Sequence, residues 1–197
     1  MYDYRKMTPT ERIEVLACRR AREYPLHAPP RGVREEGCYL LTAACFEHQH
    51  IFDEPALLSW LSDEILNALT GTGNDCRAWC FQPNHYHVLL KIIDKDAISE
   101  VIRRTHSRLS TRINSIQHSR GRQVWCQFSD RNMRNDHHYW ATVNYLRLNP
   151  VKHKYVDDPD KWPWSSWPNY VREFGSEWLC ELQQAYPLYD YGKGWDW

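Results

Sequence analysis

The stretch Pro83–Leu90, which reads PNHYHVLL, decides how the middle of this chain folds. Side chains alternate between the two faces of a β-strand, so His85 and His87 are predicted to share one face. Tyr86 and Val88 then lie on the other face, which is apolar and is expected to pack on the core. An isolated pair of histidines at this spacing is most often exposed to solvent. Two adjacent imidazoles are also close enough to share one cation, and the pattern alone leaves both interpretations open.

Hydrophobic periodicity on both sides of this stretch predicts further strands and helices. The predicted strands are 37–46, 76–81, 85–93 and 123–128. The predicted helices are 8–23, 55–69, 96–118, 136–149 and 176–185, the fourth ended by Pro150. This order indicates an α+β fold with a central, mostly antiparallel sheet, flanking helices and a helical C-terminal tail. We expect three parts: an N-terminal helix and proline-rich linker (1–36), the sheet domain (37–155), and a Trp-rich acidic tail that packs on it (156–197).

The cysteines and the hydropathy indicate a cellular location. The seven cysteines are odd in number and form no CxxC pair, so reduced thiols in a cytoplasm are the simplest interpretation. Cys76 and Cys80 are predicted to share a strand face as core thiols. The first ten residues are polar, and no apolar run approaches 18 residues, so we expect neither a signal peptide nor a membrane span.

A second segment, the predicted helix 136–149, carries a polar stripe. His138, Thr142, Tyr145 and Asn149 recur at helical spacing and therefore project from one side. A phenol and a carboxamide thus lie on the same face. Without further support, Tyr145 is most simply a half-buried aromatic residue with a hydrogen-bonded hydroxyl.

Charge is distributed unevenly along the chain. The formal net charge of the 197 residues is zero, which by itself argues against a protein that binds nucleic acid through bulk positive charge. Residues 96–154, however, carry eleven basic and four acidic residues, a net charge of +7, whereas residues 155–197 carry −5. Arg104, Arg108 and Arg112 recur every four residues on one helix face. Such a row is usually a solvated face, but a row of one sign also suits phosphates.

Several sequence motifs are absent. The chain contains no GxxxxGK[ST], no GxGxxG before a helix, no GxSxG and no HExxH. Nucleotide-driven motors, dinucleotide enzymes and serine hydrolases are therefore disfavoured.

Four segments, in this order, resemble the single-tyrosine HUH transposases, and in particular the REP-associated tyrosine transposases. The resemblance covers about residues 37–170. The segments are PNHYHVLL at 83–90, FSDR at 128–131, NYLRLNPVKH at 144–153 and WPWSSW at 162–167.

The resemblance implies a function and a site. His85 and His87 match the metal-binding pair, Tyr145 matches the nucleophile, and Asn149 matches a residue that completes the metal shell. The implied cofactor is Mg²⁺ or Mn²⁺. The implied reaction is cleavage and rejoining of single-stranded DNA beside the hairpins of repetitive extragenic palindromes, through a 5′-phosphotyrosine intermediate.

The implied partner is single-stranded or hairpin DNA, bound by a monomer or homodimer in the bacterial cytoplasm, without a membrane. The residues expected to contact DNA are basic and lie in the positive block: Arg103, Arg104, Arg108, Arg112, Arg131, Arg134 and Lys152. Two alternatives remain. One is a non-catalytic DNA hairpin-binding protein derived from such a transposase. The other is a metallohydrolase or metal-storage domain, which would leave Tyr145 and the arginine row unexplained.

Overall fold

The computed structural model of the chain describes residues 37–188 and Tyr191, together with Thr8, Thr10 and Ala17. Apart from those three positions, the predicted helix 8–23 and the linker to residue 36 lie outside the described residues. The elements below belong to one unit, residues 34–196.

Four antiparallel strands form one sheet: β1 (Gly37–Ala44), β2 (Asp75–Gln82), β3 (His85–Ile92) and β4 (Ser129–Asn132). Their order across the sheet is β2-β3-β1-β4. β2 and β3 form a hairpin in which Gln82 pairs with His85, leaving a two-residue turn. β1 pairs with β3 so that Thr42 lies opposite His87. Paired residues lie on the same face, so this register determines which side chains surround the two histidines.

Five α-helices accompany the sheet within residues 37–188: α1 (Pro55–Thr70), α2 (Lys95–Ile116), α3 (Asp136–Lys152), α4 (Trp167–Phe174) and α5 (Ser176–Ala185). The predicted α+β fold with a mainly antiparallel sheet is therefore confirmed. No helix in the ranges described above is long and apolar enough to cross a membrane.

The two faces of the sheet are covered by different helices. On one face, the Tyr86 hydroxyl lies 2.8 Å from Nε2 of His106 on α2. On the other face, the His87 ring packs against Tyr145 of α3, with ring centroids 5.3 Å apart. The alternation predicted for 83–90 is therefore present, but both faces are buried rather than one.

Local sequence explains where the helices start. α1 begins at Pro55, whose fixed φ suits the first helical position. α3 begins after Asn135, whose side-chain oxygen accepts a hydrogen bond from the His138 backbone N–H at 2.8 Å. The prediction that α3 ends at Pro150 is wrong, because the helix continues to Lys152. Pro150 lies only two residues before the end of α3. It therefore removes one backbone hydrogen bond but has no long helical segment after it to disrupt.

Two strand predictions also need correction. Residues 123–128 were expected to form a strand, but they contribute only an isolated bridge between Trp125 and Cys45, and the fourth strand is 129–132. The apolar residues Val124 and Trp125 are buried in the core. The polar sequence SDRN at 129–132 instead pairs with β1 through backbone hydrogen bonds. A bulge in β2 between Cys76 and Ala78 shifts the register, so Cys76 and Cys80 lie on opposite faces.

The tryptophan-rich segment 162–167 closes one edge of the sheet. The Phe81 backbone N–H donates to the Trp164 carbonyl at 2.8 Å, and the Ser166 N–H donates to the Trp79 carbonyl at 3.0 Å. Trp162 is 7% exposed and its indole N–H donates to the Phe81 carbonyl at 2.9 Å. These contacts satisfy edge groups of β2 that would otherwise be unpaired.

Candidate active site

The two histidines of β3 are buried beneath α3. His85 is 3% exposed and His87 is not exposed at all. The interpretation of a solvent-facing pair is therefore wrong for this chain. Their ring centroids are 5.0 Å apart, so the pair forms one polar cluster inside the protein, and buried polar groups require partners.

Hydrogen bonds determine which ring nitrogen of His85 carries the proton. The Asn84 side-chain amide donates to the His48 carbonyl at 3.3 Å, which orients its oxygen toward Nδ1 of His85 at 2.7 Å. In the neutral imidazole Nδ1 is then the donor, and Nε2 presents its lone pair. Nδ1 of His87 lies 2.8 Å from the Thr42 hydroxyl, so its Nε2 also points to the opposite side, toward α3. Partners of this kind orient histidines that bind metals.

Tyr145 places its phenol against this pair. Its hydroxyl lies 3.3 Å from Nε2 of His87, and the side chain is 2% exposed. Nζ of Lys152 lies 5.4 Å from the centroid of the Tyr145 ring, within the range of a cation–π contact. The ring of Tyr191 is 6.1 Å from that of Tyr145, and its hydroxyl is hydrogen-bonded to Thr142. The predicted polar stripe of α3 therefore faces the two histidines.

Asn149 completes the cluster from the last turns of α3. Its side-chain oxygen lies 3.3 Å from Nε2 of His85 and accepts a hydrogen bond from Nε2 of Gln82 at 2.6 Å. Gln82 and Asn149 are both fully buried. Within the described residues, the Gln82 oxygen and the Asn149 amide nitrogen have no hydrogen-bond partner.

These groups fit a divalent cation. His85, His87 and Asn149 offer two imidazole nitrogens and an amide oxygen, a mixed set that Mn²⁺ accepts readily and Mg²⁺ accepts with added water. Neighbouring ligands of an octahedral ion at about 2.1 Å lie about 3 Å apart, which is close to the separation of His85 Nε2 and the Asn149 oxygen. Across the described ranges, no three His, Cys, Asp or Glu side chains form a metal site, so the amide oxygen is essential to this donor set.

Comparison with known proteins identifies the fold. No protein-family model matches the chain, and no curated protein does. Among solved structures, the chain is similar to a REP-associated tyrosine transposase bound to a REP hairpin, with a TM-score of 0.59 and 20% identity over 74% of this chain and 86% of the other. The chain has the fold of that transposase. A protein from Deinococcus radiodurans R1 named as a transposase shares less, with a TM-score of 0.42 and 18% identity over 60% of this chain and 95% of the other.

This transposase fold separates the predicted DNA-contacting residues into two groups. The row on α2 lies on the side of the sheet opposite Tyr145. Its cations are engaged within the protein: Glu100 accepts hydrogen bonds from both Arg103 and Arg104, and Arg108 donates to Glu64 of α1 at 2.6 Å. The two guanidinium groups lower the pKa of the Glu100 carboxyl to about 2.

Arg112, the last member of this row, lies over the Trp60 ring, 5.1 Å from its centroid. The row therefore has mixed charge once α1 is included, which is the arrangement of a solvated face. The structure does not bring the four arginines of α2 to the histidine and tyrosine cluster.

The second group lies on the same face as Tyr145. Arg131 pairs with Leu40 across β4 and β1, two residues from the Thr42–Ser129 pair, and therefore points to the side of His87. Burial lowers the pKa of the Arg131 guanidinium, whereas the nearby phenols of Tyr191 and Tyr145 act in the opposite direction. Arg134 contributes positive charge near Arg131. Together with Lys152, these residues place cations around the tyrosine.

Sequence reasoning missed several residues that contact the cluster: Thr42, Gln82, Asn84, His153 and Tyr191. The His153 ring lies 5.0 Å from the His85 ring. Spacing offered a signal for two of them, since His153 follows Asn149 by one helical turn and Gln82 opposes His85 across a short hairpin. Thr42 and Tyr191 come from distant segments, and no pattern in the sequence connects them to the site.

Proposed function

We propose that this chain cleaves and rejoins one strand of DNA through Tyr145, beside hairpins of repetitive extragenic palindromes. In this proposal His85, His87 and Asn149 hold a divalent cation, Mg²⁺ or Mn²⁺, and the protein acts in the bacterial cytoplasm as a monomer or homodimer. The observation that carries the proposal is the 3.3 Å distance between the Tyr145 hydroxyl and Nε2 of a buried, oriented His87.

The reaction is a transesterification. The Tyr145 oxygen forms a bond to phosphorus, the bond from phosphorus to the 3′ oxygen breaks, Tyr145 loses its proton, and the leaving oxygen gains one. The products are a 5′-phosphotyrosine and a free 3′-hydroxyl. A second 3′-hydroxyl can reverse the same step, so no nucleotide cofactor is needed. The absence of any phosphate-binding loop motif in the sequence is consistent with this chemistry.

A phenol with a pKa of about 10 is a weak nucleophile at neutral pH. The residues around Tyr145 can make its hydroxyl more reactive. The His87 ring packs against the Tyr145 ring, with centroids 5.3 Å apart, and so places the hydroxyl beside the proposed ligands. Lys152 and Arg131 supply positive charge that favours both a phenolate and a bound phosphate. A cation bound at the two histidines and Asn149 would withdraw further charge from the scissile phosphate.

An alternative is a protein that binds DNA hairpins without cutting them. The paired arginines on α2 and the cations beside Tyr145 could serve binding alone. The buried cluster favours catalysis, because binding does not require a tyrosine hydroxyl held against an oriented imidazole inside the protein.

Covalent trapping tests the proposal. A hairpin-bearing oligonucleotide, labelled on the strand 3′ to the cut, is incubated with the protein and Mn²⁺ and run on a denaturing gel. We expect a protein–DNA adduct, its loss in Tyr145→Phe, and its retention in Tyr139→Phe, which removes another phenol hydroxyl of α3, one that is hydrogen-bonded to Tyr170. An undiminished adduct with Tyr145→Phe would refute the role of Tyr145. Free 5′-phosphate ends without an adduct would indicate hydrolysis, and salt-sensitive binding without cleavage under any metal would indicate a binding protein.

A further inference from the structure

Gln82 is a fully buried polar residue beside the two histidines. It is the last residue of β2 and lies opposite His85, so its side chain is on the face of the two histidines. Its Nε2 donates to the Asn149 oxygen at 2.6 Å and lies 4.0 Å from the Cys80 sulfur. Nothing in the reaction described above uses Gln82.

The orientation of the Asn149 amide needs an explanation. Nε2 of His85 presents a lone pair, because Nδ1 donates to Asn84. The Asn149 oxygen faces this nitrogen at 3.3 Å, so in a neutral imidazole protonated at Nδ1 two acceptors face each other without a proton between them. The Asn149 amide nitrogen has no partner within the described residues. A rotated amide would place this nitrogen against His85 as a donor, and in the absence of a cation that orientation would be preferred.

The hydrogen bond from Gln82 Nε2 to the Asn149 oxygen favours the observed orientation of the Asn149 amide. A hydrogen bond from an amide nitrogen requires an oxygen on Asn149, not a second nitrogen. Gln82 therefore keeps the oxygen toward His85, where a hard divalent cation needs it.

We propose that Gln82 is a positioning residue that holds the Asn149 oxygen toward His85 and thereby sets the affinity of the site for a divalent cation. This inference rests on the proposed function, in which Asn149 is a ligand. Residues that orient metal ligands typically change metal affinity by about 10–100-fold when they are replaced. Gln82 belongs to this class although it makes no bond to the cation itself.

The test is a titration of the full chain with Mn²⁺. Binding is measured by calorimetry and, independently, by the electron paramagnetic resonance signal of free Mn²⁺. Gln82→Met removes the donor at nearly constant volume, and we expect the dissociation constant for Mn²⁺ to rise about tenfold or more. Gln117→Met is the matched control, because it also removes an amide N–H, which donates to the Ile51 carbonyl at 2.9 Å on another part of the fold. Its Mn²⁺ affinity should equal that of the unaltered chain.

A double-mutant cycle separates positioning from a general structural effect. If Gln82 acts through Asn149, Gln82→Met should weaken Mn²⁺ binding little further in an Asn149→Ala background. Equal Mn²⁺ affinity of Gln82→Met and the unaltered chain would overturn the inference and leave the proposed function intact. Absence of Mn²⁺ binding by the unaltered chain would overturn both. If Gln82→Met does not fold, Gln82→Asn keeps the amide but shortens its reach, and the same loss of affinity is expected.

Discussion

The Tyr145 hydroxyl lies 3.3 Å from Nε2 of His87, although the two residues are 58 positions apart in the sequence. Both belong to the same chain, so a second copy is not needed to bring the tyrosine to the histidines. The hydrogen bonds that orient the two histidines are made within this chain alone, which reduces the reorganisation required by the reaction proposed above.

The contact between Thr42 and His87 predicts the effect of a small substitution. Thr42→Val removes the hydroxyl that lies 2.8 Å from Nδ1 of His87 and nearly preserves volume. We expect adduct formation and Mn²⁺ affinity to fall about tenfold, while the free energy of unfolding falls by only about 1 kcal/mol. Single-turnover adduct rates and urea unfolding measure the two effects. Unchanged adduct rates would show that the ring needs no support from Thr42.

The separation of the basic residues predicts unequal contributions to DNA binding. Arg131 lies on the face of Tyr145, whereas Arg108 is paired with Glu64 on the other side of the sheet. We expect Arg131→Ala to weaken hairpin binding several-fold and to reduce the slope of log affinity against log salt by about 1. Arg108→Ala should change both much less. Fluorescence anisotropy at several salt concentrations distinguishes them, and a larger loss with Arg108→Ala would instead make α2 the DNA-binding face.

Buried His106 predicts a pH dependence of stability. Burial lowers its pKa from 6.5 to about 3, so the unfolded chain binds a proton between these values that the folded chain does not. Its contribution to stability is therefore complete above about pH 6.5 and is lost as the pH falls toward 3, by up to about 1.4 kcal/mol per pH unit. His106→Gln should remove this slope while leaving an acceptor for the Tyr86 hydroxyl. Chemical unfolding from pH 4 to pH 7 measures it, and an equal slope in the variant would contradict the assignment.

The tryptophans of 162–167 should differ in their contribution to stability. Trp162 is 7% exposed and stacks on Tyr155, with ring centroids 5.3 Å apart, so Trp162→Ala is expected to cost about 3–5 kcal/mol. Trp164 is only half-buried, with its indole N–H donating to the Ser59 hydroxyl, and Trp164→Ala should cost clearly less. Urea denaturation of both variants measures the difference. Equal losses in the two variants would contradict the expected dependence on burial.

Regular periodicity made much of the fold predictable. The alternation at 83–90 placed His85 and His87 on one face, and the helical spacing from 138 to 149 placed Tyr145 and Asn149 on another. What brings these two faces together is the packing of α3 on the sheet, and a sequence pattern carries no information about which sheet face a helix covers. The same reason explains why the arginine row could be found on α2 but not located relative to Tyr145.

Irregular features were the ones that local patterns missed. β4 is held by backbone hydrogen bonds to β1, so its polar sequence shows no strand alternation. The bulge before Ala78 reverses the face of Cys76 with no warning from glycine or proline. In the sequence, Gln82 is an ordinary residue beside a turn. Its hydrogen bond to Asn149 can be found only from the packing of α3 on the sheet.

If the chain acts on DNA as proposed, the closed edge of β2 restricts the path that the DNA strand takes around the protein. Segment 162–167 occupies that edge, whereas β4, at the opposite end of the strand order, pairs with a strand on one side only within residues 37–188. DNA that reaches Tyr145 from this side passes β4, where Arg131 lies on the face of His87. Footprinting should then show protected nucleotides beside the cleaved phosphate whose protection Arg131→Ala weakens and Arg108→Ala leaves unchanged.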